Sequence, residues 1–81
     1  MTAIVLPEFA EDGDERAKVL QWYAREGEEI AEGQEILELV TDKAAFTLPA
    51  PCSGRLRRIL VVAGAEVAVN QVLGEIEEHG G

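Results

Sequence analysis

The 81 residues allow one domain with one modest hydrophobic core, and 47% hydrophobic content is too high for a disordered chain. That size leaves no wall area for a deep catalytic cleft and favours a binding, carrier or interaction module over an enzyme. Seven basic and sixteen acidic residues give a net charge of −9, which disfavours nucleic acid and anionic membranes and suits encounters with proteins bearing basic patches.

Taken in chain order, short β-branched runs alternate with turn residues, and no stretch keeps a helical period. The predicted strands are Ile4–Leu6, Lys18–Ala24, Ile36–Thr41, Ala44–Leu48, Arg55–Val62 and Val72–Glu77. Gly13, Gly27, Gly33, Pro49, Pro51, Gly54 and Gly64 punctuate them. Such spacing predicts an all-β sandwich or barrel rather than a βαβ fold.

The sequence also repeats. At one offset of 37 (64 − 27), Gly27 matches Gly64, Glu29 Glu66, Ile30 Val67 and Gln34 Gln71. Ile36 likewise matches Leu73, Glu38 Glu75 and Leu39 Ile76. Leu6-Pro7 and Leu48-Pro49 correspond at 42 (48 − 6), which assigns about five extra residues to the acidic stretch Glu8 to Arg16. The repeat predicts two four-strand halves about an approximate two-fold axis. Lys43 lies where the halves join, and its symmetry equivalent falls where the chain termini meet, at the opposite end of the domain.

Two β runs flank Thr41-Asp42-Lys43-Ala44. Asp42 is a turn former whose carboxylate is expected to bond the backbone NH groups just ahead. A tight hairpin there puts the Lys43 side chain in solvent, with the small Ala44 offering no obstruction. On these residues alone, an ordinary exposed lysine in a surface turn remains open.

The segment resembles the lipoyl domains of 2-oxo acid dehydrogenase complexes, in the biotinyl/lipoyl-attachment family, whose attachment lysine sits in an Asp-Lys-Ala turn. Trp22, Gly27, Gly33, Asp42, Lys43, Ala44, Pro49, Pro51, Gly54, Gly64 and Gln71 all fall where that pattern puts such residues. The likeness runs from Ile4 to Glu77 and includes the opening Leu6-Pro7-Glu8-Phe9, with Ala10 where glycine is usual. It departs at Val40, where the family often has glutamate; by alternation Glu38 shares the face of Val40.

The resemblance implies a barrel-sandwich hybrid of two four-stranded sheets, with a carrier domain at 1–77 and a tail or linker start at 78–81. It implies lipoate bound covalently to Lys43, flanked by Asp42 and Ala44, with no catalytic residues and no metal. Implied partners are a lipoate ligase or lipoyl transferase, a thiamine-dependent 2-oxo acid decarboxylase, an acyltransferase core and dihydrolipoyl dehydrogenase. The isolated domain is expected to be a monomer. The alternatives are a biotin carrier, which shares the fold but flanks its lysine with methionines, a longer glycine-cleavage carrier, and an unmodified interaction module of the same barrel. The only methionine here is Met1.

The remaining residues read plainly. Val19, Leu20, Trp22, Ile36, Leu39, Leu56, Ile59, Val67, Leu73 and Ile76 are the expected core. Cys52, the lone cysteine, excludes an intramolecular disulfide and reads as a small packed residue in a reducing compartment. The acidic run Glu8, Glu11, Asp12, Asp14 and Glu15 reads as a solvated loop or a recognition element. His79 and Ser53 do not assemble a triad, one Cys and one His cannot build a metal site, and no phosphate-binding loop is present. Ile59 to Ala65, the longest apolar run, falls short of the ~20 residues that span a bilayer. The N-terminus has no basic or transit-like segment, so the expected location is the cytoplasm, or the mitochondrial matrix if a presequence has been removed.

Overall fold

Alternation of apolar and polar residues builds the strands: in Arg16-Ala17-Lys18-Val19 the second and fourth side chains are buried and the other two face water. The computed structural model describes residues 1–8 and 16–78. Among them are eight strands and no helix: β1 (Thr2–Val5), β2 (Arg16–Trp22), β3 (Glu29–Ile30), β4 (Glu35–Val40), β5 (Ala45–Pro49), β6 (Gly54–Ile59), β7 (Glu66–Ala68) and β8 (Val72–Glu78). They form two antiparallel four-stranded sheets, ordered β1-β8-β6-β3 and β5-β4-β2-β7.

Exchanging each strand for its counterpart four places away converts one sheet order into the other. The internal repeat therefore governs the topology, and the all-β architecture of two four-stranded sheets forms as expected. The irregularities obey it as well. The β2–β4 ladder shifts register between Val19 and Gln21, and β6–β8 shifts 37 residues later, between Leu56 and Arg58. Gly27 donates its N–H to the Leu56 carbonyl at 2.7 Å, and Gly64 donates to that of Val19 at 2.8 Å, so the halves hold one another reciprocally. Gly33 and its counterpart Asn70 both adopt positive φ, +86° and 71°, in the turns before β4 and β8.

The offset of the first strand differs from the sequence expectation. Val5 pairs with Val72 and Pro49 with Glu35, so β1 corresponds to β5 at 44 (49 − 5) rather than 42. Leu6 therefore matches Ala50: Leu6 N–H donates to the Gln71 carbonyl at 3.1 Å, and Ala50 N–H to that of Gln34 at 2.8 Å. The shared Leu-Pro dipeptides do not mark equivalent positions, because hydrogen-bond register sets the correspondence. The first half thus carries seven extra residues (44 − 37) between β1 and β2.

β3 and β7 were missing from the sequence reading, being too short to show a period. The strand starting at Arg55 stops at Ile59 rather than Val62, and the one starting at Lys18 begins at Arg16 and stops at Trp22. β8 continues past Glu77 to include Glu78. His79, like the acidic residues from 11 to 15, lies outside the described residues.

Leu6, Ile36, Leu37, Leu39, Leu56, Leu73 and Ile76 fill the core between the sheets. Leu20 does not join them: it alternates with the buried Val19 and remains 48% exposed. Leu37 is buried beside Ile36 because the β4–β5 register shift between Glu35 and Leu37 turns two consecutive side chains inward. Trp22, partly buried, donates its indole N–H to the Val61 carbonyl at 2.8 Å. Gly74 makes room for it, since a Cβ there would lie 3.3 Å from Trp22 Cη2. The counterparts of Trp22 and Gly74 are Ile59 and Leu37, so one half uses a large and an absent side chain where the other uses two of middle size.

Candidate functional site

β4 and β5 pair as far as Val40 and Ala45, which leaves Thr41 to Ala44 as the connecting turn. Thr41 N–H donates to the Ala44 carbonyl at 2.8 Å and closes the ladder. Thr41 Oγ1 accepts the N–H groups of Lys43 and Ala44, each at 3.2 Å, and donates to the Ala44 carbonyl at 3.3 Å. The threonine hydroxyl thus holds the two amides that the sequence reading assigned to the Asp42 carboxylate. The signal was present, because a threonine beginning a turn can bond the amides two and three residues ahead. Asp42, Lys43 and Ala44 are all exposed.

The symmetry equivalent of this turn is the meeting of β8 with β1. There the Met1 amino group lies 3.8 Å from Glu78 Oε1, and the Thr2 hydroxyl donates to the same carboxylate. At their other ends β1 and β5 converge, where Val5, Pro7, Pro49 and Pro51 line a shared apolar groove. The lysine turn and the meeting of β8 with β1 are thus the same junction in the two halves.

A polar groove runs beside the turn, lined by Arg16, Ala17, Lys18, Val40, Thr41, Asp42 and Glu66. Arg16 is engaged by Glu66 at 2.7 Å. Lys18, the other lysine, is exposed on β2 in register with Val40. Two residues before Val40, Glu38 Oε1 accepts the Tyr23 hydroxyl at 2.6 Å and the Gln21 side-chain amide at 2.9 Å. The Tyr23 hydrogen bond, and then that of Gln21, hold the Glu38 carboxyl below its usual pKa; the same bond to Glu38 raises the Tyr23 phenol. Sequence reasoning placed Glu38 on the face of Val40 but missed Tyr23 and Gln21.

The other candidates serve the fold. Ser53 Oγ accepts the Glu32 N–H at 2.9 Å, and Cys52 packs partly against the core. Among the described residues no cluster of three His, Cys, Asp or Glu side chains could hold a metal, and no helix is long and apolar enough to cross a membrane.

Comparison with known proteins decides the family. Residues 2–76 match the biotin/lipoyl family model, described as that of biotin-requiring enzymes. The chain belongs to the biotin/lipoyl attachment family. Within it, the chain is 39% identical over 75 residues to the dihydrolipoyllysine-residue succinyltransferase component of the 2-oxoglutarate dehydrogenase complex from Buchnera aphidicola, covering 93% of this chain and 19% of that protein. The Bacillus subtilis protein of the same name is 37% identical over all 81 residues, 19% of its length. The chain thus spans about a fifth of the curated relatives it matches. The lipoyl domain of the 2-oxoglutarate dehydrogenase complex from Azotobacter vinelandii, solved in solution, superposes with a TM-score of 0.79 at 26% identity, covering 99% of this chain and 100% of that one. Domains of this lipoyl type are carriers within multienzyme complexes and are not catalytic by themselves.

Proposed function

We propose that Lys43 carries lipoate in amide linkage and that the domain shuttles acyl groups between the active sites of a 2-oxo acid dehydrogenase type system. The observation that carries this reading is the Asp42-Lys43-Ala44 turn, clamped by Thr41 at the tip of the β4–β5 hairpin of a lipoyl-type fold. The turn fits such an arm, because the exposed Lys43 is flanked by exposed Asp42 and small Ala44.

Acylation converts the lysine cation into a neutral amide and places a long arm on a rigid hairpin. The dithiolane of the arm supplies the acyl-carrying chemistry. The chain supplies position: a fixed turn on a small folded domain confines the group near the partner active sites at high effective concentration. The names of the relatives favour succinyl as the group carried. The partners are then a lipoate ligase or lipoyl transferase, the thiamine-dependent decarboxylase, the acyltransferase core and dihydrolipoyl dehydrogenase. Cys52 as a packed thiol agrees with a reducing compartment, the cytoplasm or the mitochondrial matrix.

A biotin carrier is the main rival, since the family includes both. Asp42 and Ala44 stand where that class has methionines. Treatment with lipoate, ATP and a lipoate ligase should add one lipoyl group by intact mass. Addition of a 2-oxoglutarate decarboxylase and its substrate should then add one succinyl group. Modification by a biotin ligase as readily as by the lipoate ligase would overturn the reading, and so would no modification by either.

A further inference from the structure

Internal duplication provides a control for each surface residue, and Gln21 and Tyr23 are among the positions where the two halves differ in kind. In the half without Lys43, β6 and β8 set Arg58 opposite Glu75, with Nε 3.8 Å from Oε1. Thirty-seven residues earlier the pair is Gln21 opposite Glu38, on β2 and β4. A neutral amide replaces the arginine, and Tyr23 stands where the other half has Leu60. Both replacements donate to Glu38 Oε1, which leaves Oε2 with neither bond. Among the described residues no cation forms a salt bridge with Glu38.

The consequence is electrostatic. A carboxylate beside an arginine presents little net charge, whereas one fixed by neutral donors is oriented and keeps its charge. Folding does not need this arrangement, because the other half shows that the same position accepts an ion pair. In a chain of net charge −9, an extra unneutralised carboxylate adds self-repulsion. Its position is informative. Glu38 lies on β4, the strand that runs directly into the turn, on the face of Val40 and about 7 Å from it. A partner footprint of about 800 Å² covers both Glu38 and the turn.

The partner that most needs such a mark is the one that acylates Lys43. Enzymes acting on the finished arm can receive it at a distance, but the attaching enzyme must bring its active site to the amine itself. It must also avoid Lys18, which is exposed on the neighbouring strand in register with Val40. Building on the lipoyl reading of Lys43, we infer that Glu38, held by Gln21 and Tyr23, is the docking contact for a cationic side chain of the attaching enzyme. An arginine suits Oε2 best, since its planar donors match a carboxylate edge.

The test is lipoylation kinetics of the 81-residue chain with a lipoate ligase, using Glu38→Gln, which removes the charge but keeps an acceptor, and Gln21→Arg, which restores the ion pair of the other half. Both changes lie on the surface and should leave the chain folded, with Tm only slightly lowered. Each should lower kcat/KM about tenfold, the value of one charged contact, through KM with kcat near wild type. The wild-type rate should fall with salt more steeply than that of Glu38→Gln. Glu75→Gln, the matched change in the other half, should behave as wild type. Wild-type kinetics in both Glu38→Gln and Gln21→Arg would overturn the inference while the lipoyl reading stands. Slower reductive acylation by the decarboxylase with unchanged lipoylation would overturn it too, by assigning Glu38 to a different partner. A wild-type chain that accepts no lipoate removes both proposals.

Discussion

Thr41 Oγ1 accepts the N–H of Ala44 at 3.2 Å and lies 3.3 Å from the carbonyl of the same residue, so one hydroxyl grips both polar groups that close the lysine turn. Valine has the same shape without the oxygen. Thr41→Val should cost about 1 kcal/mol, because the freed amides are exposed and water replaces the lost bonds. Amide exchange at Lys43 and Ala44 should accelerate, lipoylation should slow severalfold, and Thr41→Ser should restore both. Wild-type exchange in Thr41→Val would show that the hydroxyl does not hold the turn.

The Tyr23–Glu38 bond predicts a dependence on pH at both ends of the scale. Glu38 is lowered from its ordinary 4.5, so its contribution to stability is present above that value and is lost as acid titrates the folded carboxyl. Tyr23 is raised from 10.0, so its contribution is present below that value and is lost as base ionises the folded phenol. Tyr23 is the sole tyrosine, which lets tyrosinate absorbance read it directly. The phenol should titrate above its ordinary value in the native chain, and Glu38→Gln should bring it down. Equal titration curves for the two proteins would contradict the bond.

Gly74 and Trp22 form a matched pair across the core. A Cβ at position 74 would lie 2.8 Å from the Arg58 carbonyl oxygen and 3.3 Å from Trp22 Cη2. Gly74→Ala should therefore cost about 1–3 kcal/mol, seen as a fall in Tm of several degrees. Adding Trp22→Leu should not rescue it fully, because the backbone clash with Arg58 remains. An unchanged Tm in the single variant would mean that the sheet yields there at no cost.

The segment between β1 and β2 exceeds its counterpart by seven residues, and the second half closes its sheet without them. Replacing Glu11, Asp12 and Asp14 with serine should leave Tm near wild type, since the second half closes its sheet with a connection seven residues shorter. It should slow reductive acylation of the lipoylated chain severalfold and reduce the salt dependence of that rate. Lipoylation should be unaffected. An unchanged acylation rate would make these residues solvated surface only.

How much of this was legible in the sequence depends on what kind of signal each feature leaves. The repeat at 37 was visible because paired residues such as Gly27 and Gly64 perform the same backbone task in each half. The matching of β1 to β5 was not, because short dipeptides coincide by chance and only hydrogen bonds to Gln34 and Gln71 fix the register. β3 and β7 left no period to detect, and Leu20 pointed outward because alternation around Val19 outweighs hydrophobicity. At the site, Lys43 and its small neighbour were readable from type and order. The Gln21–Tyr23–Glu38 cluster was not, since it joins residues on different strands across a bulge.

The most direct test of the account is peptide mapping of the chain after reaction with lipoate, ATP and a lipoate ligase, alongside Lys43→Arg. Arginine keeps the charge but lacks an acylable amine, so the variant should fold and remain unmodified. The account predicts a single lipoyl group on the wild-type peptide containing Lys43 and none on the variant. A lipoyl group on Lys18, or modification that survives Lys43→Arg, would contradict it.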